Sequence, residues 1–415
     1  MPAPVLSAFR KQTITNVFLG IDFGTSYTKV SYSYAPTQTS QIETIKWGDD
    51  YFKQTILYLQ NNRLYFDKPS GECKEVKYFK YSIVEKKLKN NAEKTVNSFE
   101  EMCCVYFLAQ LIKRSLAIIQ ANLRITNIDD LKISVNMGVP LENFYEETNK
   151  NNKGLYQEIL EDAILLAGGS KLKADIPVNQ VLISNLDTVY SEIFQKKAVL
   201  KWNANVYPEL AAELLLYHQS KFVADGVYAI IDIGGGTVDM ALFQKSTSFY
   251  TKISNMYCLA QKVLPYGIEI LHTNKSSVSK QNFQEVFCSM LMKSKKYMDV
   301  HYDELKKIDV FFLGGGAYDS WYTSGISETK NRLKNGGIPE LSFSKSLDDF
   351  IQSEEFLIRK NQRLIISQML ARHSDDISNV MGFPAFYESE LNERAIEETT
   401  SYDDIMYERG SKYWD

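Results

Sequence analysis

The chain has 415 residues, 44% of them hydrophobic, and a formal net charge of −4 at pH 7. This nearly balanced charge gives no electrostatic case for nucleic acid or an anionic membrane surface, and no run approaches the ~18 apolar residues that span a bilayer. The five cysteines include the adjacent pair Cys103 and Cys104 but no Cys-x-x-Cys, so they predict neither a disulfide framework nor a zinc site. We therefore expect a globular protein of more than one domain in a reducing, cytoplasmic setting, with no nucleic-acid partner and no membrane segment.

The first candidate motif lies close to the N-terminus. Residues 1–15 lack the apolar core of a signal peptide and are predicted to be a flexible leader. Residues 17–30 then have the pattern of a strand, a tight turn and a second strand, and the first strand ends near Asp22. Glycine and small polar residues in such a turn can present amides and hydroxyls to a phosphate. The turn and the strand after it contain Gly24, Thr25, Ser26, Tyr27 and Lys29.

Short strands are predicted to fill residues 16–66. They include a hairpin whose turn is formed by Asn61 and Asn62. A lysine-rich segment, 74–94, follows. Lysines in a polar segment are usually solvated, and Lys80, within Tyr-Phe-Lys-Tyr, is the candidate for a functional one.

The next segments alternate between helix and strand. Ser98, with Glu101 three residues on, has the capping-box signature of a helix start. A strand is predicted over 131–139. An amphipathic helix is predicted over 155–167, and Gly168 after it suits a helix C-cap.

Residues 170–206 are predicted to be an insertion. Their periodic apolar residues favour a helical segment packed on the core, and the alternative is a surface for a partner. The sequence Tyr-Pro-Glu-Leu-Ala-Ala at 207–212 follows, so Glu209 lies just before a helix predicted over 210–220.

The second candidate motif repeats the pattern of the first. Residues 228–243 read as an apolar strand that ends near Asp232, a glycine turn, and a strand that contains Asp239. Two carboxylates beside such a turn suit Mg²⁺, which keeps several waters and takes only one or two carboxylates. The alternative is a glycine-rich hairpin with two solvated aspartates. The turn itself consists of Gly234, Gly235, Gly236 and Thr237.

A third glycine loop follows another buried strand. A helix over 281–297 carries Lys295, and an apolar strand over 308–313 comes after it. Glycines at the end of such a strand let the backbone approach a ligand closely. A further helix is predicted over 347–372, and 385–415 is an acidic tail. The loop after the strand is Gly314, Gly315, Gly316 and Ala317.

These motifs, in this order, resemble those of the actin, sugar-kinase and heat-shock-70 ATPase superfamily. Asp-Phe-Gly-Thr from Asp22 resembles its first phosphate motif. Asp-Ile-Gly-Gly-Gly-Thr-Val-Asp from Asp232 resembles the second, in the form of the heat-shock-70 (DnaK) branch. Lys29 is more similar to the actin branch. The resemblance covers roughly 17–322.

The resemblance implies an α/β fold of the duplicated actin-like, ribonuclease H-like kind, with nucleotide in the cleft between two lobes. The first lobe would span 16–206, with a peripheral subdomain and the insertion. The second would span 207–340, with a reduced peripheral subdomain. Residues 341–415 would form a C-terminal helix and the acidic tail, without the family's peptide-binding domain.

The resemblance also implies ATP or ADP with Mg²⁺ as ligands. Mg²⁺ would be held by Asp22 and Asp232 through its water shell. Lys29 or Lys80 would neutralise developing charge. Asp239 and Glu209 would orient the attacking water, although the acid of the family's Glu-Pro-x-Ala-Ala segment lies one place late here. The implied catalytic residues are Asp22, Lys80, Glu209, Asp232 and Asp239. The implied nucleotide-binding residues are Gly24, Thr25, Ser26, Tyr27, Lys29, Gly234, Gly235, Gly236, Thr237, Lys295, Gly314, Gly315, Gly316 and Ala317.

The favoured function is a slow, heat-shock-70-like ATPase switch that acts through a protein partner of unknown identity. Its output would be conformational, because a γ-phosphate held by both lobes would tie them together until hydrolysis. The alternative is a self-assembling, actin-like filament ATPase of the plasmid-segregation or cell-shape type. A small-molecule kinase would need a catalytic base, for which no motif is recognisable, and an inactive nucleotide sensor stays open.

Overall fold

The protein is a mixed α/β structure. The computed structural model describes residues 16–34, 42–83, 99–125, 127–139, 154–168, 180–184, 199–220, 223–247, 254–273, 279–298, 307–343, 361–373 and 376–377. Within them the strands are β1 (Asn16–Phe23), β2 (Tyr27–Tyr34), β3 (Ile42–Thr44), β4 (Lys53–Gln54), β5 (Leu57–Gln60), β6 (Arg63–Tyr65), β7 (Lys74–Val76), β8 (Lys132–Val139), β9 (Gln180–Leu182), β10 (Asn203–Pro208), β11 (Gly226–Ile233), β12 (Val238–Thr247), β13 (Ser254–Leu264), β14 (Lys307–Leu313) and β15 (Glu340–Phe343). The α-helices are α1 (Phe99–Leu123), α2 (Leu155–Leu166), α3 (Glu209–Gln219), α4 (Ile268–Thr273), α5 (Lys280–Met298), α6 (Ser320–Glu328), α7 (Lys330–Asn335) and α8 (Ile365–Leu370).

The elements group into two compact units. Unit 1 comprises Met1–Val139, Asn143–Glu209 and Gln352–Ser374, and unit 2 comprises Pro140–Glu142, Leu210–Ile351 and Asp375–Asp415. The predicted second lobe begins at residue 207, whereas unit 2 resumes at Leu210.

Unit 1 is built on a sheet with β1 at its centre. The strand order is β10-β8-β1-β2-β3, and β4 pairs with β2. β1 runs antiparallel to β2 and parallel to β8, which in turn runs parallel to β10. A smaller sheet has the order β7-β5-β6-β9. Most of β1 is buried, because its apolar side chains pack in one core with α1 and α2.

Unit 2 has a sheet of the same order and directions. Its strands follow the order β13-β12-β11-β14-β15. β11 is antiparallel to β12 and parallel to β14, and β14 is parallel to β15. In both units the first strand is therefore central. In unit 1, β2 and β3 lie on one side of it and β8 and β10 on the other. In unit 2, β12 and β13 lie on one side and β14 and β15 on the other.

A C-terminal segment completes the unit 1 sheet. α8 packs across β1, where Gly20 leaves room for its backbone. The contact is polar as well as apolar: Ser33 donates to the carbonyl of Ala371 at 2.5 Å, and Asn136 donates to that of Leu370 at 2.7 Å. Such buried polar groups are stable only when they are satisfied. The sequence groups this helix with a separate C-terminal region, whereas its contacts place it in unit 1.

Several local predictions are confirmed. Asn61 and Asn62 have φ of 51° and 59°, and Gln60 pairs with Arg63, as expected for a two-residue hairpin turn with both φ values positive. Gly168 follows α2 with φ of 97°. The helix predicted over 281–297 is α5.

Other predictions differ from the structure or lie outside it. The described parts of 170–206 contain β9, the helical residues Ile183 and Ser184, and the start of β10. Strand therefore joins the predicted helix here, because β9 pairs with β6 and β10 pairs with β8. Of the helix predicted over 347–372, the described part is a 3-10 turn, Gln362–Leu364, followed by α8. The leader 1–15 and the tail 385–415 lie outside the described residues.

α1 is long and apolar enough to cross a membrane by length and composition alone. Most of its apolar window is buried within the protein, which is also how the core helix of a soluble protein behaves. A single helix of this kind decides neither for nor against a membrane segment.

We expect Gly20→Ala to lower the free energy of unfolding by about 1–3 kcal/mol. An added Cβ would come within 3.0 Å of backbone atoms of Ser367, Leu370 and Ala371, which cannot move without undocking α8. Gly226→Ala is the matched control, since its Cβ would lie 3.6 Å from the Tyr228 side chain, an ordinary contact. Urea denaturation should show a lower midpoint for the first variant alone. Equal midpoints would contradict this packing of α8.

Candidate functional site

The first glycine turn joins β1 to β2 in unit 1. Asp22 lies opposite Lys29 in the strand pair, and the two side chains form an ion pair of 2.8 Å. Both are largely buried, with side-chain exposures of 5% and 16%. The neighbouring Lys29 cation offsets the cost of burying the Asp22 carboxylate.

Thr55 holds the carbonyl side of this turn. Its amide donates to the carbonyl of Ser26 at 2.8 Å, and its hydroxyl donates to that of Gly24 at 2.9 Å. Gly24 has no room for a side chain, because a Cβ would collide with the carbonyl oxygen of Tyr27. The carbonyls are thus engaged on one side of the turn.

The amide side of the turn has the character of an anion site. Among the residues described, the amides of Thr25 and Ser26 donate to no acceptor. The hydroxyl oxygen of Ser26 is buried and likewise has no partner among them. A buried hydroxyl without a partner is costly, so a bound oxyanion would satisfy it.

Lys80 and Glu209 meet at the same end of the unit 1 sheet. Their side chains form an ion pair of 3.0 Å with exposures of 5% and 12%, and Lys80 also donates to the carbonyl of Phe23. Glu209 begins α3 directly after β10, and its Cγ lies against Gly138. Gly138 pairs with Asp22, so these groups gather at the carboxyl ends of the parallel strands, where open α/β sheets bind ligands.

Lys80 is positioned by an unusual backbone. Tyr78 has φ of 59°, which is rare for a bulky residue, and it turns the chain just before Lys80. Phe79 is buried, with its ring centre 5.7 Å from that of Phe107 and 6.5 Å from that of Phe23. The aromatic anchor and the turn together direct Lys80 inward.

The second glycine turn joins β11 to β12 in unit 2. Asp232 and Asp239 lie opposite each other on the two strands, and both are buried. Like charges directly opposite in a strand pair repel, so a cation between them would be stabilising. The hydroxyl of Thr237 donates to Asp239 at 3.1 Å, which fixes one side of that carboxylate.

The start of α4 holds the carbonyl side of the second turn. The amides of Gly267, Ile268 and Glu269 donate to the three glycine carbonyls at 2.9 to 3.1 Å. Gly267 must be glycine here, because a Cβ would come within 3.0 Å of the turn backbone. The following amides are left without an acceptor among the described residues: Gly235, Gly236 and Thr237.

The third glycine loop wraps the end of β11. Gly316 donates its amide to the carbonyl of Ile233 at 3.0 Å, and Gly314 has φ of 79°. A Cβ on Gly314 would collide with the Asp232 carboxylate, whereas Gly315 faces open space. Ala317 is buried. The loop from Gly314 to Ala317 therefore packs directly against the Asp232 carboxylate.

Lys295 lies elsewhere in unit 2. It is half-buried near the end of α5, and its ammonium lies against Gly337, after α7. Its contact with Gly337 gives no support to a role beside the loop formed by Gly314 to Ala317.

The donors present fit phosphate and Mg²⁺. Unit 1 offers free amides, the Ser26 hydroxyl and Lys80, and unit 2 offers free amides and two opposed carboxylates. Among the described residues no three His, Cys, Asp or Glu side chains form a metal-binding group.

Sequence reasoning missed two of the site's supports. Gly267 follows Pro265 and Tyr266 just before α4, a glycine-before-helix signal that could have been noticed. Thr55 has no such signal, because its role depends on contacts 31 residues away in the chain.

The sequence matches no protein-family model, and no curated protein matches it. The assignment of function therefore depends on the geometry of the two turns and on the motifs.

We expect Gly314→Ala to be much more damaging than Gly315→Ala. The first places Ala at positive φ and against the Asp232 carboxylate, which should lower the free energy of unfolding by about 2 kcal/mol or more. The second adds a methyl group in open space and should change it by less than about 0.5 kcal/mol. Urea denaturation measures both. Similar values for the two variants would contradict the packing of the loop against Asp232.

We expect Lys80→Met to destabilise the protein by about 3–5 kcal/mol, because it leaves a buried Glu209 carboxylate without its cation. Adding Glu209→Leu should restore part of this loss, since the apolar pair leaves no buried charge. A double-mutant cycle by chemical denaturation gives the coupling energy. Additive effects of the two substitutions would show that the pair is not formed in solution.

Proposed function

We propose that the protein binds ATP with Mg²⁺ and hydrolyses it slowly, as a conformational switch read by a protein partner. The observation that carries this is the repeated arrangement in the two units. In each, a buried aspartate lies at the end of the central strand, and a turn follows whose carbonyls accept hydrogen bonds and whose amides find no acceptor in the part of the chain that the structure describes. Amides arranged in this way favour phosphate oxygens.

We further propose that the two units are the halves of a duplicated actin-like, ribonuclease H-like fold with nucleotide between them. The shared strand order and directions support this, since both sheets follow the same five-strand path. The position of the two turns, each between the first and second strands of its sheet, supports it as well.

The residues of unit 1 would act on the transferred phosphoryl group. Lys80 would stabilise negative charge as it develops, and its burial makes that charge more effective than it would be in water. Glu209, held by Lys80, would orient the attacking water. This role requires a correctly positioned acceptor rather than a strong base. The free amides beside Ser26 would hold phosphate oxygens.

The residues of unit 2 would hold the metal and the nucleoside side. Asp232, together with Asp22, would bind the water shell of Mg²⁺, and Asp239 would orient the attacking water. Bound Mg²⁺ would supply neutralisation of phosphate charge. The loop from Gly314 to Ala317 would let the backbone lie close to the nucleoside.

The alternative is a filament-forming ATPase. Lys29, the residue that resembles the actin branch, lies beside the first turn, where it pairs with Asp22. The two functions share the ATP site and differ in whether the protein assembles.

The deciding experiment measures ATP turnover and light scattering together. We expect slow, Mg²⁺-dependent turnover in the wild type and loss of at least tenfold in Asp232→Ala, because the carboxylate that faces the metal is removed. Asp309→Ala is the matched control, since Asp309 lies in the same sheet and pairs with Lys307 rather than with the turn.

Turnover without scattering would support the switch. Scattering that rises with ATP would favour the filament. A wild type that neither binds nor hydrolyses ATP would overturn the proposed function.

A further inference from the structure

A cationic side chain that no motif predicts lies beside the first glycine turn. Arg363 belongs to the 3-10 turn Gln362–Leu364 that leads into α8. Its guanidinium carbon lies 4.2 Å from the centre of the Phe52 ring and 5.8 Å from that of Tyr27. Tyr27 begins β2 directly after the glycine turn, and Phe52 immediately precedes β4, which pairs with β2.

Packing holds Arg363 in this place. The backbone amide of Arg363 donates to the Asn361 side chain at 2.9 Å, and its neighbours Gln362 and Leu364 are buried. The rings of Tyr27 and Phe52 meet edge to face with centres 6.4 Å apart. The guanidinium thus rests on an aromatic platform that is itself part of the turn's surroundings.

The stacked guanidinium keeps its hydrogen-bonding edge available. Among the residues that the structure describes, the Arg363 side chain makes no ion pair and donates no hydrogen bond. Stacking on an aromatic ring engages the face of a guanidinium, whereas its five N–H donors point outward in its plane. Such an edge fits the paired oxygens of a phosphate.

The charge at this end of the unit 1 sheet shows why Arg363 matters. Lys29 is paired with Asp22, and Lys80 is paired with Glu209, so each motif lysine is offset by a carboxylate. Arg363 adds a positive charge that no described carboxylate offsets. It gives the turn a net attraction for an anion that the two ion pairs alone would lack.

We propose that Arg363 is an anion-binding residue of the phosphate site, which rests on the proposed function: its guanidinium edge binds phosphate oxygens of the nucleotide held by the first glycine turn. The Tyr27 and Phe52 rings orient the Arg363 side chain, and the packing of α8 on the sheet holds Arg363 next to the turn. The C-terminal segment is then part of the site and not only of the core.

The test is calorimetric titration of the full chain with ATP, inorganic tripolyphosphate and adenosine. Arg363→Ala should weaken ATP and tripolyphosphate about tenfold or more, as expected for a lost charge-assisted contact, and leave adenosine unchanged. Arg363→Lys keeps the charge but loses the planar face and the two-pronged edge, so its affinities should fall in between. Lys307→Ala removes a charge at the start of β14, the end of that strand remote from Gly314, and should change none of the three.

The outcomes separate this inference from the proposed function. Wild-type affinity for ATP in a folded Arg363→Ala variant would overturn the role of Arg363 and leave ATP binding standing. Equal weakening of ATP and adenosine would also overturn it, because the residue would then act only on structure. A wild type that binds neither ATP nor tripolyphosphate would overturn both. If Arg363→Ala fails to fold, the lysine variant decides, since wild-type affinity for tripolyphosphate in that variant would contradict a role for the guanidinium edge.

Discussion

The main sheet of each unit buries a carboxylate at the carboxyl end of its central strand, and the two units differ in the charge that they place opposite it. An isolated buried charge is costly, so it must be met by a cation or by hydrogen bonds. Unit 1 meets Asp22 with Lys29 directly across the strand pair. Unit 2 places a second carboxylate, Asp239, at the same register position opposite Asp232 and packs Gly314 against the latter.

Lys29 in unit 1 and Asp239 in unit 2 occupy matching positions, each opposite the buried aspartate of the central strand. This difference gives the two turns different charges. The first turn is neutral across its strand pair, so under the proposed function its attraction for phosphate would come from the amides and Arg363. The second turn is acidic across its strand pair and would there face the cation. A nucleotide bound with a metal presents both signs of charge, and under the proposed function each unit would bind the part that complements it.

Local features were predictable from the sequence because their causes are local. The two hairpins, the turn at Asn61 and Asn62 and the end of α2 all follow from residue patterns within a few positions. The pairing of Lys80 with Glu209 was not predictable from such patterns, because it joins residues 129 positions apart. The resemblance suggested both residues for the site, but only the structure puts them in contact.

Other misses have the same origin. Residues 170–206 have helical periodicity, and Ile183 and Ser184 are helical. Residues 180–182 and 203–206 instead pair as strands, because sheet partners elsewhere in the chain decide their conformation. Thr55 and Arg363 reach the first turn through tertiary packing alone.

The docking of α8 on the first sheet has a consequence for folding during synthesis. Ser31, Ser33 and Asn136 lie in strands made early, and their partners are Ser367, Leu370 and Ala371 near the other end of the chain. At about 5–20 residues per second, the wait between the two is some tens of seconds. Throughout it the nascent first unit would present a partly polar, unfilled sheet face to water. An N-terminal fragment that ends before α8 would keep this sheet face exposed. Unit 1 should therefore be expressed together with the segment that contains α8, for example in a circularly permuted chain.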